Sequence, residues 1–253
     1  MRFRHLPYRP GKALEWSLEY LGLARPGDVH WSHGTNSIGK LAAALVDPDI
    51  HFIEGDISEG PDGRAIMAHP PATESDLAYE EWIRAIVEVG KGAKLDFKSP
   101  AVVVPALEYA RKIAAERIPL IVNADVFLGP GGRVVRFQPN TFLAQYRTLL
   151  PQAILSPGWV VGSDGIGYTQ QMLDEMKAYA RQVRNDVTLC FHAWLLFSSW
   201  PEVKWLLDET PHTITVWGKI DASELVSWLR RFTNPARTFY DVQTPTGEQI
   251  HMF

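Results

Sequence analysis

The feature that most constrains this chain is a repeated alternation. Short β-branched or apolar runs are separated by longer segments of helical period. Parallel strands need a crossover, and a helix is the usual one, so the alternation reads as βαβ units and a parallel sheet. Eight runs fit strands: 29–33, 50–56, 93–97, 120–124, 153–158, 187–191, 213–217 and 238–241. The intervening segments 37–46, 77–89, 100–115, 142–149, 168–182, 202–207 and 222–232 fit helices. Ser37 suits the cap of the first of these, and Asp221 or Ser223 that of the last. An earlier amphipathic segment, 12–21, suits a helix covering one end of the sheet.

Eight strands, the first seven each followed by a helix, is the count for an α/β fold of the closed (β/α)8 TIM barrel type. The length of 253 residues suits one such domain, with residues 1–28 as an N-terminal helical extension. An open doubly wound sheet would want a Gly-rich dinucleotide loop after the first strand. The turn found there, His33-Gly34-Thr35-Asn36-Ser37, is not one. Gly129-Pro130-Gly131-Gly132 reads as a tight turn.

The balance of 25 basic and 29 acidic residues leaves a net charge of −4, without a Lys/Arg block, which argues against nucleic acid as a partner. The single cysteine, Cys190, excludes an intrachain disulfide and reads as a small buried apolar residue. The basic amino-terminal stretch lacks the apolar core of a signal peptide. No run approaches the roughly 18 apolar residues of a membrane span. A soluble, cytoplasmic protein is the expectation, with its oligomeric state left open.

A barrel strand is buried on both faces, so polar side chains there cost desolvation unless they are paired or hold a metal. Glu54 and Asp56 are two apart and therefore share a face. Lys94, Asp96 and Lys98 share a face of the next strand, opposite Leu95 and Phe97, and the expectation is that Glu54 and Asp56 neutralise the lysines. Asn123 and Asp125 repeat the spacing, which also fits a turn-forming pair. His33 closes the first strand, His69 follows a short run after Asp56, and His192 ends the sixth strand. His5, His30, His51, His212 and His251 read as structural.

Glu54, Asp56 and Asp96 would make an all-oxygen site, which suits Mg2+ or Ca2+ rather than Zn2+. A metal beside a lysine can hold phosphate charge, and two histidines can move protons near neutral pH. Together these describe in-line cleavage of a phosphodiester. The apolar run Ala193 to Trp200 reads as the buried start of a helix; exposed, it would suit an acyl chain or a membrane surface. Trp31 and Trp159 read as packing or as pocket lining.

As a group, the segments WSHGTNS from Trp31, IEGD from Ile53, AHPP from Ala68, KLDFKS from Lys94, NAD from Asn123 and SPGW from Ser156 resemble the menorin family. That family is similar to the phospholipase C-like phosphodiesterases, which include glycerophosphodiester phosphodiesterases and spider-venom phospholipase D. The resemblance implies His33 and His69 as catalytic residues. It implies Glu54, Asp56 and Asp96 as ligands of one divalent cation, and Lys98 on the phosphate side. Trp217 resembles an aromatic near the substrate, and Asn36 an Asn of the venom enzymes. Lys94, Asn123, Asp125 and His192 complete the expected substrate-binding set. The chain departs from glycerophosphodiesterases in His33-Gly34, in Asp96-Phe97-Lys98 and in Pro70 after His69. The expected partner is a small phosphodiester or a lysolipid. The alternative is a catalytically silent menorin-like binding or scaffold module that keeps a metal or phosphate pocket.

Overall fold

A computed structural model describes residues 7–252; His5 and the start of the basic stretch lie outside them. Eight parallel strands alternate with helices. In order they are β1 (Trp31–Ser32), β2 (Phe52–Glu59), β4 (Gly92–Phe97), β5 (Leu120–Leu128), β6 (Ile154–Val160), β7 (Thr188–His192), β8 (Thr213–Lys219) and β9 (Thr238–Gln243). A ninth strand was not anticipated: β3 (Ala65–Met67) folds back antiparallel on the end of β2. β2 therefore runs past Asp56 as far as Glu59, because its last residues have a partner.

The helices are α1 (Ala13–Leu21), α2 (Ile38–Val46), α3 (Tyr79–Val89), α4 (Val103–Ile113), α5 (Pro139–Leu149), α6 (Gln170–Ala180), α7 (Ala193–Ser198), α8 (Trp200–Asp208) and α9 (Ser223–Phe232). α5 starts three residues earlier than its apolar pattern implies, because Pro139 takes the first turn, where a missing N–H costs nothing. Ser37 caps α2 as expected, accepting from the Lys40 N–H at 3.3 Å. At α9 neither anticipated residue caps: the N-cap is Ala222, with no side-chain cap.

Strands β1-β2-β4-β5-β6 pair in that order, and β7-β8-β9 form a second ladder. Side-by-side contacts join the two ladders around the barrel, including a Leu155–Val187 bridge between β6 and β7. The Leu155 N–H donates to the Asp186 carbonyl at 3.2 Å between β6 and β7. Between β9 and β1, the ring of Trp31 meets that of Phe239 edge-on, with centroids 5.8 Å apart.

Period-two burial then sorts the side chains. Ile53, Leu95, Val122, Leu155, Leu189, Val216 and Val242 face outward into a core shared with the helices. Trp31, Phe52, Ile121, Ile154 and Phe239 face inward and plug one end of the barrel, with Ala13 of α1 in the same cluster. α1 thus covers that end, as its amphipathic pattern implies. Its first turn is pinned where the Leu14 N–H donates to Asp186 Oδ2 at 2.8 Å. The run from Ala193 does start a helix, buried on one face only: α7 buries Ala193, Leu195 and Leu196 but leaves Trp194 and Phe197 exposed. Among the described residues, no helix is long and apolar enough to cross a membrane.

Candidate metal centre and active site

Above the apolar plug the barrel interior turns polar. Register aligns Asp56, Asp96, Asn123 and Ser156 across four adjacent strands. Glu54 lies one inward-facing position below Asp56. One carboxylate oxygen each from Glu54, Asp56 and Asp96 lies within 4.8 Å of the others, and all three residues are buried.

Each carboxylate is held by named donors. The Gly34 N–H donates to Glu54 Oε2 at 2.6 Å. Asn36 grips Asp56 at both ends: Nδ2 donates to Oδ2 at 2.6 Å, and Oδ1 accepts the Asp56 N–H at 2.9 Å. Asn123 Nδ2 donates to Asp96 Oδ1 at 2.8 Å. Asn123 Oδ1 in turn accepts from the Ser156 hydroxyl at 2.8 Å and the Cys190 thiol at 3.0 Å. Cys190 is buried, as expected, but it takes part in this polar net rather than filling apolar space. Asn36 and Asn123 spend both polar ends on protein groups, which makes them positioners of the carboxylates.

The lysines divide differently from the expectation. Lys98 Nζ lies 3.3 Å from Asp56 Oδ1 and 3.0 Å from Asp96 Oδ2. Burial opposes its charge, but Asp96 and Asp56 outweigh burial and hold its pKa well above the usual value. Lys94 is not neutralised by direct contact with Glu54 or Asp56. It reaches across the barrel to Asp241 Oδ2 at 3.5 Å and lies fully inside. The reason is register: Lys94 sits beside Glu54 in the ladder, but its ammonium extends into the barrel axis, where β9 supplies a carboxylate.

Asp241 is the residue of the site that strand reading missed. It is fully buried, and both its oxygens lie 3.0 Å from His33 Nδ1. Gln243 Nε2 donates to it at 2.9 Å. The signal was present: Phe239, Asp241 and Gln243 alternate with Tyr240 and Val242, and a carboxylate on the inward face needs partners. Because a carboxylate only accepts, His33 Nδ1 carries a proton, and Nε2 is left as the free ring nitrogen. Burial alone would lower the His33 pKa, but Asp241 and Glu54 raise it to about 9.

His69 follows the β3 hairpin rather than a barrel strand. It is exposed, and its Nδ1 lies 2.7 Å from the Pro70 carbonyl, which ties one ring nitrogen to the backbone. It shares a cavity of about 180 Å³ with Phe97, Lys98, Asp125 and Arg136. Burial raises Asp125 to about 6, against the pull of Lys98. His33 therefore stands on the Glu54 side of the carboxylates and His69 on the Lys98 side. His192 and Trp217 form a separate pair, rings edge-on with centroids 4.9 Å apart, and burial alone lowers the His192 pKa. Trp31 and Trp159 are buried and serve packing.

The donors fit a divalent cation. Three carboxylates share this buried site, and the Lys98 ammonium and His33, 3.4 Å from Glu54, offset only part of their charge. Burial raises Glu54 to about 7, partly opposed by His33. Its Oε1 atom is buried without a hydrogen-bond partner. All-oxygen donors are the hard set that such ions take.

A family model, the Menorin N-terminal domain, matches residues 27–247. Protein FAM151B of Homo sapiens is 31% identical over 236 residues, covering 88% of this chain and 85% of that protein. The chain belongs to the menorin family. Among solved structures, this menorin barrel is similar to a tryptophan synthase from M. tuberculosis. That match has a TM-score of 0.50 at 15% identity and covers 94% of this chain and 89% of that one. It bears on the fold alone. A glycerophosphodiester phosphodiesterase from Agrobacterium tumefaciens aligns over 86% of this chain and 95% of its own, with a TM-score of 0.34 and 11% identity.

Proposed function

We propose that this menorin-family barrel is a metal-dependent phosphodiesterase acting on a glycerophosphodiester or lysophospholipid-like substrate. The observation that carries the reading is the meeting of three buried carboxylates beside a histidine oriented by Asp241. Glu54, Asp56 and Asp96 would hold one cation, Mg2+ or Ca2+. When bound, that ion offsets the negative charge of the phosphate. Lys98 adds a fixed positive charge on the same side, toward the cavity it shares with His69.

The two imidazoles divide the proton traffic. Each has Nδ1 tied to an acceptor and presents Nε2. One takes the proton of the attacking oxygen and the other returns a proton to the leaving oxygen. Attack by water gives a phosphomonoester and an alcohol, whereas attack by a neighbouring substrate hydroxyl gives a cyclic phosphate. Asp241 holds the Nδ1 proton of His33, and against burial His33 first and Lys94 second keep Asp241 ionised.

The test is turnover of glycerophosphodiesters, lysophospholipids and a bis-aryl phosphate with Mg2+ or Ca2+, followed by His33→Ala. A fall of about 10²-fold or more is expected for the loss of a general acid or base. Undiminished turnover would remove His33 from the mechanism. One observation favours the silent-module alternative: Lys98 already neutralises part of the charge on Asp56 and Asp96. That reading expects metal binding with no product from any phosphodiester.

A further inference from the structure

One side of the barrel mouth carries a crest that the proposed chemistry does not use. It begins after β5, where Gly129-Pro130-Gly131-Gly132 leads into Arg133-Val134-Val135-Arg136, and it continues after β6 in residues 161–169. The two segments lie backbone on backbone. The Gly162 N–H donates to the Pro130 carbonyl at 2.9 Å, and the Gly129 N–H to the Val160 carbonyl at 2.9 Å. There is no room for side chains between them. A Cβ on Gly132 would strike the Val160 carbonyl, and one on Gly162 would strike that of Gly131. The stretch 129–132 is thus half of a locked loop pair, which is more than a tight turn. The second segment is tied to the helices beyond it, with the Tyr168 N–H donating to Ser199 Oγ at 3.0 Å.

This framework holds large apolar side chains out in water. Ile166 is 89% exposed and Val134 70%; on the neighbouring α7, Trp194 is 39% exposed and Phe197 46%, its ring edge-on to Trp228 of α9. Scattered exposed apolar residues are ordinary, but these lie on consecutive, mutually contacting segments on one side of the mouth. Arg133 and Arg136 flank the two valines. Both are exposed, and neither makes an ion pair or hydrogen bond among the described residues. Asp164 lies next to Gly131, and Asp125 lines the same cavity as Arg136. Val134 and Arg136 also line the cavity that holds His69 and Lys98, so the crest borders the entrance to the site.

Apolar tips flanked by guanidinium groups match an interface with an apolar interior and anionic headgroups. We propose that this crest seats the protein on an anionic phospholipid surface, so that the phosphodiester is drawn from that surface. The substrate part rests on the function proposed above; the docking does not.

The experiment is co-sedimentation of the full chain with vesicles of phosphatidylcholine alone and of phosphatidylcholine with phosphatidylserine. Pelleting with the anionic vesicles, weakened by salt, is expected. Ile166→Ser and Arg133→Glu, neither in the lining of the His69–Lys98 cavity, should each weaken it by roughly fivefold or more. Neither should change turnover of a soluble bis-aryl phosphate. Pelleting with neither vesicle, equal pelleting with both, or full pelleting of both variants would overturn the docking. So would a dimer seen by sedimentation velocity that Ile166→Ser dissolves in a protein that ignores vesicles. Soluble turnover without vesicle binding removes the docking alone; vesicle binding without any turnover leaves the docking standing and removes the chemistry.

Discussion

Asp241 is where a single residue decides most. It ties together His33, Lys94 and Gln243 at the centre of the barrel. Asp241→Asn keeps the shape but removes the charge that fixes the His33 tautomer and pairs Lys94. Two effects are expected. Turnover should fall by about 10²-fold with an altered pH profile, because Nδ1 loses its anionic acceptor. Stability should drop by about 3–5 kcal/mol, because a buried ammonium is left uncompensated. Kinetics across pH and urea denaturation check the two separately. The inward positions of Glu54, Asp56 and Asp96 were legible from spacing two. The partner of Lys94 was not, because no local pattern says which distant strand lies across a barrel axis.

At the scale of elements, helix starts separate local rules from context. Ser37→Ala should cost about 1 kcal/mol, whereas Ser223→Ala should cost close to nothing, since only Ser37 accepts from its helix. Thermal denaturation of the two variants checks this. The strand entries supply a pH prediction. The His30 N–H donates to His51 Nδ1 at 3.0 Å, and the His30 ring also meets that of His251. Burial first, and neighbouring positive charge second, holds both His30 and His51 below the ordinary 6.5, with Lys91 adding to it at His51 and Asp28 and Asp49 opposing. A group whose folded pKa is depressed stabilises the fold fully above its unfolded pKa. Its contribution is lost as pH falls from 6.5 through the folded value. The urea midpoint should therefore fall below pH 6.5, less steeply in a His30→Asn/His51→Asn double variant. The β3 hairpin escaped sequence reading because three residues make no period, yet it carries the chain to His69.

For the whole molecule, the carboxylate cluster exists only when β2 and β4 are in register, so a cation that binds it binds the folded state. Mg2+ or Ca2+ at 100 times its dissociation constant should add about 2.7 kcal/mol of stability. A thermal-shift titration reads this, and Asp56→Asn should abolish the shift while the metal-free protein still folds. A shift that persists in Asp56→Asn would place the cation elsewhere.

The sequence by itself determined the strand–helix alternation, the inward faces of β2 and β4, and the residues that meet as a carboxylate cluster. All of these follow from the fixed periods of strand and helix, which act between near neighbours. Only the tertiary structure decided that Asp241 orients His33, that Lys94 answers Asp241, and that two glycine-rich segments interlock at the mouth. Those pairings join residues far apart in the chain, and the geometry of barrel closure, which no local period encodes, brings them together.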